Sequence, residues 1–439
     1  MHRDADLFPY QRVGRDFLAA SPRAMLLDAP GVGKTVQACT AAEALKVSSA
    51  VVICPAGARN VWRRHFRDWA PSVKNLTIDS FEKWTRKGSP LFDEHYEAGG
   101  PLMIVDEGHY LKDPTAGRTK RVYGNLNAPV TRNGLAHKFD HAWILTGTPM
   151  PNHAGESWTH LRALFNEPLG YAAFLGRYCH VRHTEYGPQV MGNKKEHLPE
   201  LRRKILANAL RRKQEDVLPE LPPIVFGEWV LDPIKALDRA MSKADESYAK
   251  PLRELLHAWG RGDFDDDEAM YAIRESEVHL STLRRYLGMA KAVPTALALR
   301  DELDNDPDMA VIVFAAHTDV IRELMQLLER YNPACITGAT PEKLREIEEM
   351  RFQSDPRCRV FIGQIRACQT AITLHRANHV VIVEPEWTPE FNFQAAKRAH
   401  RIGQTRPVFV RYASMPNTLD EAINRVLVRK TKMIAQLID

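Results

Sequence analysis

Apolar runs of four or five residues, rich in β-branched side chains, recur along this chain in two blocks, with helix-like segments between them. The first block holds AMLL (24–27), AVVIC (50–54), LMIV (102–105) and AWIL (142–145). The second holds AVIVF (310–314), RVFI (359–362), HVVIV (379–383) and VFVRY (408–412). A strand covered on both faces has no wet side, so it reads as a continuous apolar run rather than an alternating one. Strands that alternate with helices pair in parallel, because the helix carries the chain back across the sheet. Two parallel α/β sheets are therefore expected. With 439 residues the chain also exceeds the length at which one core usually stops growing, which gives each sheet its own domain.

Residues 155–300 read differently. LRRKILANALRRK and LSTLRRYLGMAKAVPTALALRDEL have helical apolar spacing, and GRGDFDDDE reads as an exposed acidic turn. LPELPP (218–223) suits a crossover, since its prolines exclude a continuing helix. The expected division is a first domain over residues 1–220, with a helical protrusion at about 155–215, and a second over 221–439. The second would carry a helical insertion at about 232–300.

Composition narrows the class without naming it. Hydrophobic residues make up 44% and charged residues 26%, as in ordinary globular proteins, and no apolar run reaches membrane-spanning length. The N-terminal MHRDADLFPYQ lacks the apolar core of a signal peptide, so the chain is expected to stay where it is made. A net charge of +5 admits a polyanionic partner but is too mild to require one. Six scattered cysteines with no Cys-x-x-Cys pair indicate neither a zinc site nor a disulfide framework, and a reducing compartment is expected. Cys179, His180, His183 and His197 match no standard metal spacing and are read as packed or solvated side chains.

Chemistry enters at DAPGVGKT (28–35), directly after the run AMLL and directly before the helix-compatible VQACTAAEAL. Gly31 and Gly33 let the backbone turn its N–H groups around phosphate oxygens, and the following helix offers them its positive end. Lys34 would neutralise the β and γ phosphates, and Thr35 would give a hydroxyl to Mg²⁺. The usual pattern begins with glycine where this chain has Asp28. A second element, DEGH (106–109), closes the run LMIV at the strand edge where parallel sheets bind ligands. Asp106 would hold the Mg²⁺, and Glu107 would orient and deprotonate the water attacking ATP.

Together with LTGTPMPN (145–152), these motifs bring the chain into view of a family. It resembles the Swi/Snf-type superfamily II helicase-like ATPases, and among them the HARP-like annealing helicases, from about residue 7 to about residue 430. The resemblance implies two RecA-like lobes with helical insertions. It implies that LFPYQRVG (7–14) is a Q motif whose Gln11 reads the adenine edge, and it makes the acidic Asp28 regular. VVICPAGARNVWRRHF (51–66) is similar to motif Ia, implying nucleic-acid contacts at Pro55, Arg59 and Asn60, and IDSFEKW (78–84) to motif Ib, implying one at Ser80. In motif III, Thr146 and Thr148 would link hydrolysis to lobe movement. LRRKQEDVLPELPP (210–223) is similar to the family's crossover between lobes, and AVIVFAAHTDVI (310–321) to motif IV.

QAAKRAHRIGQT (394–405) resembles motif VI, which implies arginine fingers at Arg398 and Arg401 and a nucleotide contact at Gln394. Planar guanidinium groups suit charge that spreads over a phosphoryl group in flight. Motif V departs from the family: QIRACQTAITL (364–374) has Cys368, Gln369 and Ala371 where glycines are usual, and Gln369 or Thr370 is expected to supply a side-chain contact instead. The implied activity is an ATP-dependent motor on double-stranded or branched DNA, acting by branch migration, fork regression or annealing, without membrane or structural metal. The alternatives are a strand-separating DNA or RNA helicase, with Trp259 or Phe264 as a pin, and a nucleotide-dependent DNA-binding switch. The expected compartment is a bacterial or phage-infected cytoplasm, or a nucleus if the source is eukaryotic.

Overall fold

In the computed structural model, the described residues are 6–127, 133–147, 149–184, 187–231, 277–368, 372–387 and 389–415, together with 420, 424 and 427. The chain divides after Pro219 into two compact units. In the first, β1 (Arg23–Leu26), β2 (Ser49–Cys54), β3 (Asn75–Ser80), β4 (Gly100–Asp106), β5 (Phe139–Leu145) and β8 (Ala209–Leu210) form one sheet in the order β3-β2-β4-β5-β1-β8. Every pairing in it is parallel. The helices are α1 (Pro9–Ala20), α2 (Lys34–Ala44), α3 (Arg59–Trp69), α4 (Phe81–Thr85), α5 (Pro90–Ala98), α6 (Gly117–Tyr123), α7 (Trp158–Phe165), α8 (Tyr171–Tyr178), α9 (Leu198–Leu206) and α10 (Gln214–Val217).

The second unit repeats the plan. Its sheet runs β11-β12-β10-β13-β14-β9 and is again parallel throughout, from β9 (Ile224–Val230), β10 (Val311–Ala315), β11 (Ala334–Ile336), β12 (Val360–Gln364), β13 (His379–Ile382) and β14 (Val408–Ser414). Its described helices are α11 (Glu277–Asn305), α12 (Thr318–Leu327), α13 (Glu342–Ser354) and α14 (Pro389–Ala396). The period-2 geometry of a strand explains the apolar runs. Ile312, Phe314, Phe361, Val380 and Ile382 face one core, while Val311, Val313, Val360, Ile362 and Val381 face another, packed on Leu299 and Leu303 of α11. Neither face of these strands is wet.

All eight expected strands are present, and four others were not foreseen in the two sheets. Strand β3 is half exposed, β11 has only three residues, β8 has two, and β9 lies at a sheet edge with Val225, Phe226 and Val230 exposed. The protrusion of the first unit is helical only in part. Between α8 and α9 lies an antiparallel hairpin, β6 (Cys179–Thr184) and β7 (Gly187–Asn193), with Val181 paired to Val190 and both packed on the main core. Outward His180 and inward Val181 follow the strand alternation, and His180 is exposed where a metal ligand would be enclosed. Cys179 is buried in the core. Among the described residues no helix is long and apolar enough to cross a membrane, and no cluster of three metal-ligating side chains occurs. The expected pins Trp259 and Phe264 lie outside the described residues.

Candidate nucleotide site

The carboxyl ends of β1 and β4 bring the two halves of the expected site to one edge of the first sheet. The loop after β1 turns at Gly31 (φ 87°) and Gly33 (φ 80°), backbone angles that a side chain disfavours, and α2 begins at Lys34. A Cβ at Gly33 would also lie 2.5 Å from Gln11 Nε2, so this position has neither the angle nor the room for another residue. The first-turn N–H groups of α2, which have no partner inside the helix, and its dipole favour an anion there. Lys34 Nζ donates to the loop's own carbonyls, 2.8 Å from Asp28 O and 3.3 Å from Ala29 O.

Gln11 sits beneath this loop rather than in the open. Its Oε1 accepts from Phe8 N at 3.1 Å, closing the capping box of α1, and its Nε2 donates to Val32 O at 3.4 Å. Reading an adenine edge would require these bonds to be exchanged.

At the end of β4, Asp106 Oδ2 accepts from Trp62 Nε1 at 2.8 Å, and its Oδ1 accepts from Glu107 N at 3.0 Å. Burial raises the Asp106 pKa to about 6, and the neighbouring Glu107 charge adds to the rise; the Trp62 hydrogen bond and the Lys34 ammonium act the other way. Two carboxylates of like charge, one of them desolvated, form a donor set that a divalent cation completes. The residues therefore fit Mg²⁺. Glu107 itself is held in the left-handed region, at φ 53° and ψ 53°. Gly108 follows it so closely under β5 that a Cβ would lie 2.2 Å from Ile144 Cγ2.

Behind this turn, His109 Nδ1 is 3.3 Å from Glu107 Oε2 and 3.3 Å from Thr146 Oγ1, which joins the carboxylate to the end of β5. Thr146 is fully buried and its N–H bonds Leu26 O, while Thr148 lies outside the described residues. His160 of α7 lies against the same turn, its Cε1 3.6 Å from the Cβ that Gly108 lacks, and its Nδ1 is 2.7 Å from the Tyr123 hydroxyl.

The residues expected to touch nucleic acid share this sheet edge. Cys54 and Ser80 are register partners at the ends of β2 and β3, and Pro55, Arg59 and Asn60 follow directly. Arg59 pairs with Asp79 at 3.2 Å, and Asn60 Oδ1 accepts from Arg63 at 2.9 Å. Ser80 is nearly buried, and its hydroxyl caps α4 by accepting from Lys83 N at 3.4 Å, so it is committed to the fold rather than presented to a strand.

Gln394, Arg398 and Arg401 belong to the second unit, at and just beyond α14. Gln394 and Arg398 are buried, Leu374 N donates to Arg398 O at 2.8 Å, and Arg401 Nη1 donates to Thr373 Oγ1 at 3.3 Å. The loop holding them is clamped by Gln404, whose Nε2 reaches His375 O, Ala377 O and Ala399 O at 2.9, 2.9 and 3.2 Å. Gln369 and Thr370 lie outside the described residues. Trp62, His160 and Gln404 were not singled out beforehand. Of these, Trp62 lies within the segment similar to motif Ia and Gln404 within that similar to motif VI, while His160 lies in no motif.

Residues 92–232 match the family description SNF2-related domain, and residues 295–403 match helicase conserved C-terminal domain. The chain is 28% identical to the SWI/SNF-related matrix-associated actin-dependent regulator of chromatin subfamily A-like protein 1 of Drosophila melanogaster, over 98% of this chain and 56% of that protein. It is 27% identical to the DNA annealing helicase and endonuclease ZRANB3 of Bos taurus, over 98% of this chain and 40% of that one. The chain thus spans about half the length of the curated relatives it matches. Among solved structures, the Sulfolobus solfataricus SWI2/SNF2 ATPase core in complex with dsDNA aligns with a TM-score of 0.42 and 19% identity, covering 99% of this chain and 93% of that one. The two domain matches together span more than half of the 439 residues, and they give the chain an SNF2-related domain followed by a helicase C-terminal domain, in the order that the motifs require.

Proposed function

We propose that this protein is an ATP-driven translocase on duplex or branched DNA that remodels it by branch migration, fork regression or annealing. The observation that carries the reading is the meeting of a glycine-turned loop and its lysine with the adjacent carboxylates of Asp106 and Glu107 at one edge of a parallel sheet. The name of one relative, a DNA annealing helicase, supports DNA as the track.

In this reading Lys34 and the α2 N-terminus bind the triphosphate, and Gln11 keeps the loop in shape by holding Val32 O. Mg²⁺, held by Thr35 and Asp106, would supply charge neutralisation. Trp62 keeps one Asp106 oxygen fixed so that the other can serve as a ligand. Glu107 takes a proton from the attacking water, and His109 relays its position to Thr146. Arg398 and Arg401 are proposed as the charge-stabilising pair, with Gln394 beside them, and Pro55, Arg59 and Asn60 as backbone contacts to the strand. Such contacts make binding salt-dependent and nearly blind to sequence.

The test is the ATP hydrolysis rate with single-stranded, linear duplex and four-way-junction DNA, and with RNA as control. Stimulation by duplex or junction DNA that disappears in Lys34→Ala is expected. A rate indifferent to DNA, or untouched by Lys34→Ala, refutes the proposal.

A further inference from the structure

The first residue of the phosphate loop, Asp28, is fully buried and does not point at the nucleotide edge. Its carboxylate is gripped by Arg212, with Nε donating to Oδ1 at 3.0 Å and Nη2 to Oδ2, while Gln37 Nε2 of α2 donates to Oδ2 at 3.2 Å. The same guanidinium donates to Gln37 Oε1 at 2.7 Å and to the Tyr10 carbonyl, and its centre lies 5.4 Å from the Tyr10 ring. One side chain thus joins α1, the phosphate loop and α2. Space for it is made by Gly14, where a Cβ would fall 1.7 Å from Gln37 Oε1 and 2.9 Å from Arg212 Nη2.

The backbone around Arg212 makes the same connection. Leu210 O accepts from Leu27 N at 2.8 Å and Arg212 O from Ala29 N at 3.0 Å, so the two-residue strand β8 runs alongside the end of β1 into the loop. Seven residues later, at Pro219, the chain leaves the first unit. A planar fork that donates four hydrogen bonds at once is the property that distinguishes arginine from lysine here. An isolated charge buried at Asp28 would be costly, so the carboxylate and the guanidinium hold position together.

We propose that Arg212 is a positioning residue for nucleotide binding: through Asp28 it fixes the phosphate loop to the segment by which the chain leaves the first unit. It does not touch the nucleotide. Its effect is to set where the N–H groups between Asp28 and Gly33 point, which explains why an acidic residue stands where phosphate loops usually begin with glycine. The inference rests on the nucleotide reading of this loop.

The experiment is equilibrium titration of the full chain with a fluorescent ATP analogue in Mg²⁺, beside a thermal melt, for wild type, Lys34→Ala, Arg212→Lys, Asp28→Asn, the Asp28→Asn/Arg212→Lys double variant and Gly14→Ala. At a temperature well below every melting point, Arg212→Lys and Asp28→Asn are each expected to weaken binding at least tenfold, and the double variant no more than the worse single one. Gly14→Ala, which removes no charge, is expected to weaken binding in the same direction by crowding the clasp. A merely structural ion pair would lower the melting point and leave the affinity of the folded protein unchanged; that result overturns the inference, as do losses that add in the double variant. If Arg212→Lys and Asp28→Asn do not fold, Gly14→Ala decides, and wild-type affinity in it overturns the proposal. Failure of the wild type to bind the analogue, or equal binding by Lys34→Ala, overturns instead the nucleotide reading on which it stands.

Discussion

Replacing His160 by glutamine should flatten the acid limb of the protein's stability curve. His160 is almost wholly buried on α7; Tyr123 OH meets its Nδ1, and its Cε1 lies 3.6 Å from the Cβ that Gly108 lacks. Burial, and then the charge on His109, push its pKa from 6.5 down to about 4. In the unfolded chain the imidazole binds its proton near 6.5; in the folded chain it does so only near 4. The unfolded state therefore takes up more protons between these values, and stability is complete above pH 6.5 and is lost as pH falls toward 4. The gap corresponds to roughly 3 kcal/mol by pH 4, and about 2 kcal/mol of that is already lost at pH 5. Glutamine keeps a polar atom for Tyr123 and has no proton to gain. Urea unfolding of both proteins at pH 7.5, 6, 5 and 4.5 should show the wild type losing about 2 kcal/mol more than His160→Gln between pH 7.5 and 5. Because His400 in the second unit is pushed down to about 4 as well, by burial and by Lys397, the wild-type curve carries both; the difference between the two proteins isolates His160. Parallel curves would refute the reasoning.

Gly33→Ala should bind the ATP analogue at least about tenfold more weakly with an unchanged circular dichroism spectrum, since a left-handed alanine costs about 1–2 kcal/mol even before it meets Gln11. Lys291, buried 2.8 Å from Asp420, should on replacement by methionine cost the second unit about 3–5 kcal/mol in urea unfolding, and adding Asp420→Asn should recover much of it. Gln404→Ala, which strips three loop carbonyls of their donor, should cost on the order of 2 kcal/mol and lower the hydrolysis rate through the displaced Arg401, read from melts and turnover together.

The parallel sheets were legible because burial on both faces writes an apolar run that nothing else requires. Strands β3, β8, β9 and β11 were not, because an edge or short strand is wet on one side and its residues then obey the neighbouring loops as much as the sheet. The hairpin of β6 and β7 was absorbed into a helical reading, since CHVRHT has alternation over too few residues to compete with the helices around it. At the site, glycine, lysine and paired carboxylates announce themselves by local spacing. Trp62 approaches Asp106 across 44 residues and Arg212 approaches Asp28 across 184, and no local pattern records such a meeting. Gln11 was found by its motif, but its bonds to Phe8 and Val32 come from the entry of α1 and the turn of the loop, which only the folded backbone sets.

The left-handed backbone at Glu107 sets stability against activity at a single residue. Glycine there would relieve roughly 1 kcal/mol of backbone strain. A screen that selected this chain only for resistance to heat would therefore accept glycine at 107, and would end with a better-folded protein that has lost the carboxylate proposed to activate water.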